Sequence, residues 1–269
     1  MYRARLFLGL IALISVAISI VLPLVAYIVY APKESWLEAF ISRVPIPMRI
    51  RLWPLSIEIG SIWKQKFVTF NGTLDNIDRI HLEILGGTIE ISKGIDRAIV
   101  YTYAIDREIA ESYVDIDRND HELYIDAKSS EVFIYIDKQI KELDISVYGG
   151  TIDINSIVIE NLSIKLKGGT FNSEAVAIGK ELDLSIKGAS IDGSISLEPR
   201  SKIKLDVVGG SIDMSLHIPK DIPICIKESR EIACSIDING DYLRLCNESS
   251  IILAISCNGA SVDIDIVTK

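Results

Sequence analysis

Residues 148–154 read Tyr148-Gly149-Gly150-Thr151-Ile152-Asp153-Ile154, and five other stretches repeat the pattern. They are LGGTIEI at 85–91, KGGTFNS at 167–173, KGASIDG at 187–193, VGGSIDM at 208–214 and NGASVDI at 258–264. Each follows a run in which apolar and polar residues alternate, such as Leu143-Ile145-Val147 or Leu182-Leu184-Ile186. Period-two alternation marks a strand with one buried face. Beyond the glycines the apolar residue returns, at Ile89, Ile152, Phe171, Ile191, Ile212 and Val262, but its parity has changed. In the first copy Leu82 and Ile84 are even-numbered, whereas Ile89 and Ile91 are odd. A one-residue slip in a straight strand would turn its apolar set to the opposite face. The chain therefore bends at every copy. Glycine suits the bend because it accepts positive φ without a Cβ clash. The corner residues of this reading are Gly86, Gly87, Gly149, Gly150, Gly168, Gly169, Gly188, Gly209, Gly210 and Gly259.

Spacing sets the expected topology. Gly149, Gly168, Gly188 and Gly209 are separated by 19, 20 and 21 residues. A fixed period of this length predicts a solenoid, in which each coil covers the apolar edge of the next. The fold expected is all-β, a parallel β-solenoid of about 20 residues per coil. The glycine-rich corners following L-D-[IL]-S-[VI] strands, as in Leu143-Asp144-Ile145-Ser146-Val147, resemble those of the bacterial and archaeal putative adhesin domains. The resemblance covers roughly residues 70–269 and implies a right-handed β-solenoid head of mostly unassigned function. It carries over no catalytic residue. The pattern is broken at Asn172-Ser173, where Asp-Ile is usual, and between Asp221 and Ser250, where the period is lost.

Ahead of the repeats, Leu6 to Tyr30 contains no charged residue. A helix of that length spans roughly 37 Å, more than a hydrocarbon core requires. Arg3 and Arg5 precede it, which by the positive-inside bias leaves the N-terminus cytoplasmic. The expected organisation is thus a cytoplasmic tail at 1–5, one N-terminal transmembrane helix at 6–30, a juxtamembrane segment and cap at 31–70, and an extracellular β-solenoid at 71–269. Ser35 and Glu38 have the spacing of a capping box for a short helix beginning near Trp36. Met48 to Trp53 alternates as a strand, either the first of the stack or one donated to a neighbouring subunit.

An exported body agrees with sequons at Asn71, Asn161 and Asn247, which are glycosylation candidates. Four cysteines are compatible with disulfides. By alternation Cys234 and Cys257 point inward while Cys225 and Cys246 point outward, so the expected pairs are Cys234–Cys257 and Cys225–Cys246. Mean hydropathy is +0.31.

The net charge is −9, and no basic stripe exists to neutralise phosphates, which excludes a nucleic-acid partner. Dinucleotide, Walker and zinc-protease motifs are absent, and His81, His121 and His217 lie outside any metal-ligand spacing. No catalytic residue and no cofactor is expected. One collective feature remains: Glu90, Asp153, Asp192, Asp213 and Asp263 share a motif position, with Asn172 in the remaining copy. Stacked coils would align them as an outward acidic ladder, a weak candidate for a cation, with Lys167 and Lys187 as candidate counter-charges. The function expected is a non-catalytic, membrane-anchored surface protein acting in adhesion or as an envelope scaffold. Its partners would be the membrane through residues 6–30, and surface glycans or another copy of the chain through strand edges. The alternatives are an extracellular filament subunit, a polysaccharide-active β-helix enzyme, and an envelope-stress sensor ectodomain.

Overall fold

The structure is a computed structural model that describes residues 48–52, 55–59, 64–240 and 250–269, with the backbone alone at 48–59 and 227–231. Strands β1 (Met48–Leu52) and β2 (Leu55–Ile59) form an antiparallel hairpin in a two-stranded sheet of their own. The segment Met48–Leu52 is therefore not the first strand of the main stack. The expected membrane helix at 6–30 and the capped helix near Trp36 lie outside the described residues. Among the described residues no helix is long and apolar enough to cross a membrane.

The remaining strands make one eleven-stranded sheet. In chain order they are β3 (Gln65–Thr73), β4 (Arg79–Lys93), β5 (Arg97–Ala104), β6 (Val114–Arg118), β7 (Glu122–Ile136), β8 (Ile140–Asn155), β9 (Val158–Leu197), β10 (Lys202–Ile218), β11 (Ile224–Ile232), β12 (Ser235–Asn239) and β13 (Ile251–Thr268). One short helix, α1 (Arg107–Ser112), joins β5 to β6. Asp106 caps it by accepting a hydrogen bond from the Ile109 N–H at 2.9 Å.

The expected parallel β-solenoid with a spanning helix is corrected by this sheet, which is mixed and open rather than wholly parallel. Only from β8 to β10 does the chain wind in sequence order. There β9 passes over itself, the Ala177 N–H reaching the Ile157 carbonyl and the Glu198 N–H that of Ile178, both at an offset of 20 residues. At the N-terminal end β4 lies between β7 and β8, parallel to both. Beyond β7 the direction reverses: β5 and β6 pair with its two halves antiparallel, and β3 is added antiparallel to β5. At the other end β13 lies between β10 and the pair β11 and β12. Period alone could not reveal this, because it says where strands recur and not which neighbour each one meets.

A crease runs across the long strands. Ser129, Gly86, Gly149, Gly168, Gly188, Gly209, Gly259 and Ala233 all have φ between 54° and 70°, and strand register places them in one column. Each strand pass with its bend is called a rung below. Apolar side chains on both sides of the crease face one interior: Leu82, Ile84, Ile89 and Ile91 of β4 are each 2 % exposed or less. Isoleucine, leucine and valine fill most of this core, as β-branched and aliphatic side chains pack well on a pleated surface.

At Ser130, where the second crease residue is not glycine, the structure supplies a compensation. Ser130 is buried beneath Gly87, and its hydroxyl joins a chain Thr69–Thr102–Ser130 with 3.0 Å steps, then donates to the Lys128 carbonyl at 2.8 Å. A buried hydroxyl without such partners would be costly.

Cys234 and Cys257 form a disulfide with Cα atoms 6.1 Å apart. Cys257 lies just before the crease of its rung and Cys234 just after that of the next, so the bond straddles the bend. Cys225 is also disulfide-bonded, and Cys246 lies outside the described residues. Cys225 is 2 % exposed. Its place in register opposite Ile252 is on the outward side, but a disulfide brings a bonded partner against that side.

Candidate functional site: two wings of a creased sheet

The crease divides the outer surface into two wings. On the wing after the crease, three columns of side chains point outward over eight rungs, which are about 4.8 Å apart. The first column is Glu131, Thr88, Thr151, Thr170, Ser190, Ser211, Ser261 and Ser235. The second is Phe133, Glu90, Asp153, Asn172, Asp192, Asp213, Asp263 and Asp237. The third is Tyr135, Ser92, Asn155, Glu174, Ser194, Ser215, Asp265 and Asn239. No lysine, arginine or histidine occurs in these columns. The carboxylates of the sequence-derived ladder thus stand in one row, interrupted by Asn172 and extended by Asp237, which the lost period had hidden.

Neighbouring groups within the columns interact directly. Asn172 donates its amide to Asp153 at 2.7 Å, and the hydroxyls of Thr170 and Ser211 reach those of Thr151 and Ser190 at 3.4 and 3.2 Å. Where four aspartates stack without a break, the field is felt. Burial, followed by the charges of Asp237, Asp265 and Asp213, pushes the Asp263 carboxyl above its usual value. Among the described residues no group of three His, Cys, Asp or Glu side chains is arranged to hold a metal ion.

The wing before the crease is built differently. Several acids and bases on adjacent rungs pair across them, although Glu83 stands in register with Asp126. Lys204 reaches Asp183 at 3.0 Å and Arg79 reaches Glu142 at 3.8 Å. His81 bridges three rungs, with Nε2 2.7 Å from Glu122 Oε1 and Nδ1 3.1 Å from Asp144 Oδ2. Both contacts become ion pairs only when the ring is protonated. The Glu122 carboxyl is held below its usual value, first by the hydrogen bond from Asn119 and then by that from His81, against the opposing effect of burial. Lys167, a candidate counter-charge to the acidic ladder, instead lies over the Tyr148 ring at 4.6 Å on this wing. Lys187 is in register with Val208, also before the crease. Neither lysine stands in the acidic columns.

The other sequence-derived sites fall apart from these. Asn71 is exposed near the outer end of β3 and accepts a hydrogen bond from Arg97 Nε at 2.8 Å. Asn161 donates to the Lys141 carbonyl at 3.1 Å, and Asn247 lies outside the described residues. His121 Nδ1 is 3.2 Å from the Asn76 carbonyl oxygen. Burial, followed by the Lys269 charge, lowers the affinity of His217 for its proton.

A cluster that sequence reasoning missed sits at the N-terminal end. Lys66 Nζ of β3 lies 4.2, 5.8 and 6.0 Å from the ring centroids of Tyr101, Tyr103 and Phe133. It is 2.6 Å from Glu131 Oε2, while Tyr103 Oη donates to Glu131 Oε1 at 2.5 Å. The only sequence signal was the outward alternation of Tyr101 and Tyr103. Nothing linked it to residues about 30 positions away in either direction.

No family model matches the chain, and no curated protein matches it. Among solved structures, it is similar to a putative cell adhesion protein from Clostridium sporogenes at 10 % identity and TM-score 0.39, covering 76 % of this chain and 99 % of that one. A putative adhesin from Bacteroides fragilis is similar at 11 % identity and TM-score 0.39, covering 76 % and 97 %. One from Parabacteroides distasonis is similar at 12 % identity and TM-score 0.28, covering 74 % and 97 %.

Proposed function

We propose that this chain is a non-catalytic adhesive scaffold displayed outside the cytoplasm, holding surface glycans along the wing that follows the crease. The observation that carries the reading is a column of seven hydroxyls, from Thr88 to Ser235, in register beside a column of six carboxylates interrupted at Asn172. Both groups hydrogen-bond sugar hydroxyls. A periodic ligand engaging many equivalent sites gains avidity that no single weak contact provides. The disulfides at Cys234–Cys257 and Cys225 support an oxidising location.

The test uses the full chain on beads, with retention of purified envelope polysaccharides as the readout. Ser190→Arg combined with Ser211→Arg places two bulky cations mid-wing, and it should lower retention about tenfold through lost avidity. Equal retention by the variant and the original chain, or no retention of any polysaccharide, would refute the reading.

A second reading, a filament subunit, is favoured by the strand edges. Among the described residues β3 and β6 at one end, and β11 and β12 at the other, each have a single registered neighbour. Unpaired edges are templates for further strands. Mass photometry across a concentration series distinguishes the two readings, since growth into long assemblies favours the filament and a fixed mass favours the scaffold.

A further inference from the structure

Lys66 points to a binding site that belongs to neither wing's columns as a whole. The walls of the box around it come from β5 and β7, which pair antiparallel from Arg97 to Thr102 within the sheet. Tyr101 and Phe133 meet edge to face, with centroids 5.7 Å apart and planes at 84°, an arrangement that fixes both rings without an occupant. Glu131 is held from the side by the Tyr103 hydroxyl. The occupant comes from a different element, the edge strand β3. Three ring faces within about 6 Å of an ammonium, closed by one carboxylate, are what recognises an organic cation. The contrast with Lys167 is informative. That side chain lies over one ring, Tyr148, on the neighbouring rung, with no enclosing set.

Lys66 is also placed to leave. Its strand breaks register between Val68 and Phe70, so Gln65–Val68 is separated from the part of β3 that pairs as far as Thr73. Opening four residues at a sheet edge is a local event, of the kind that lies at the low end of a protein's range of opening free energies. The side chain is itself 42 % exposed.

We propose that Tyr101, Tyr103, Phe133 and Glu131 form a binding site for a primary alkylammonium group, filled in this conformation by Lys66 and open to an outside amine when Lys66 withdraws. A primary amine is specified because Glu131 Oε2 accepts a hydrogen bond from Nζ, which a quaternary ammonium cannot donate. The internal lysine acts as a competitor that lowers the apparent affinity of any ligand by the fraction of time the box is empty. Glu131 and Phe133 head the first two columns of the adjoining wing, but the glycan reading rests on the seven rungs beyond them, and failure of the amine site would leave it intact.

The experiment titrates n-butylammonium into the full chain, following the ring-proton shifts of Tyr101 and Phe133. Lys66→Ser should bind it with a Kd of roughly millimolar order. The original chain should bind about tenfold more weakly or worse. Adding Glu131→Gln to Lys66→Ser should lose about tenfold for n-butylammonium and leave tetramethylammonium nearly unchanged. Equal affinity of Lys66→Ser and the original chain, or equal binding of neutral n-butanol, overturns the proposal. A measurement on the original chain guards against a variant that loses β3. Excess n-butylammonium should speed amide exchange at Gln65–Val68 and leave Phe70–Thr73 unchanged. Unchanged exchange at both overturns it as well.

Discussion

The two wings are made by the same strands, with the same core and the same rung spacing, yet they treat charge in opposite ways. Before the crease, opposite charges meet across rungs at Lys204–Asp183 and at the His81 bridge, with Glu83 beside Asp126 as a like-charged exception. After it, carboxylates stack on carboxylates and hydroxyls on hydroxyls. In a parallel in-register stack, whatever residue a motif repeats is presented as a row. Opposite charges directly across a pair of strands stabilise, whereas like charges destabilise. A wing that keeps its like charges in line gives up stability that the other wing retains, which is why the acidic wing is where we look for a partner.

The largest expected effect tests the crease that separates the wings. At Gly169, with φ 113°, an added Cβ would fall 1.9 Å from the Gly150 carbonyl oxygen, whereas at Gly168, with φ 69°, it meets nothing within 4 Å. Gly169→Ala should therefore cost about 3 kcal/mol or more of unfolding free energy. Gly168→Ala should cost only the left-handed backbone penalty, about 1 kcal/mol. Urea denaturation of both variants decides this, and equal losses would mean that the crease is not held by close backbone approach.

Next is the covalent tie across the bend. Cys234→Ser with Cys257→Ser removes a cross-link closing a 23-residue separation, so the pair should lose about 3 kcal/mol. The same denaturation experiment reads the loss, and an unchanged midpoint would remove the disulfide from any role in holding the wings together.

A smaller effect differs in sign between the wings. Asp183→Asn, on the paired wing, should destabilise by about 0.5 kcal/mol, and Asp213→Asn, amid aspartates, should stabilise by a similar amount. Two changes of the same sign would erase the electrostatic contrast.

The last effect is read by pH. The Asp78 carboxyl is held low, chiefly by the hydrogen bond from Lys141, and Glu122 is held low as described above. A lowered carboxyl contributes stability above its unfolded value and loses it as pH falls through the folded value. Asp263 is raised, so its contribution is complete below the unfolded value and is lost as pH rises through the folded one. Acidification from about pH 6 to about pH 3 should weaken amide protection in β4, β7 and β8 while sparing or strengthening it in β12 and β13. Uniform loss along the sheet would count against the contrast.

Much of the architecture was legible in the glycines, because a bend that needs positive φ leaves its mark at every pass. Two of the eight bends escaped, since Ser129 and Ala233 take the same conformation without glycine. Ser129 lies 20 residues before Gly149, a spacing that the hydroxyl chain through Ser130 and Thr102 allows to persist without the motif. The antiparallel end and the displaced β4 and β13 were not legible, as alternation is identical in parallel and antiparallel strands. The motif position shared by Glu90, Asp153, Asp192, Asp213 and Asp263 was visible in the sequence, whereas Asp237 was hidden where the period fails. The box around Lys66 depends on β3, β5 and β7 being neighbours, which no local pattern encodes.

The placement of β13 has a consequence for how the molecule is assembled. β11 and β12 leave the ribosome before β13 does, yet their seat in the finished sheet is against it. A growing chain can wind residues 140–218 turn by turn, each pass finding its template already laid down. The next pass has no template until the one after it arrives, so 224–239 has to wait unpaired, or rest on β10 and later be displaced. Seating β13 therefore either inserts it between β10 and 224–239 or gives that segment its first partner, and the segment kept waiting is the one that carries Cys225 and Cys234.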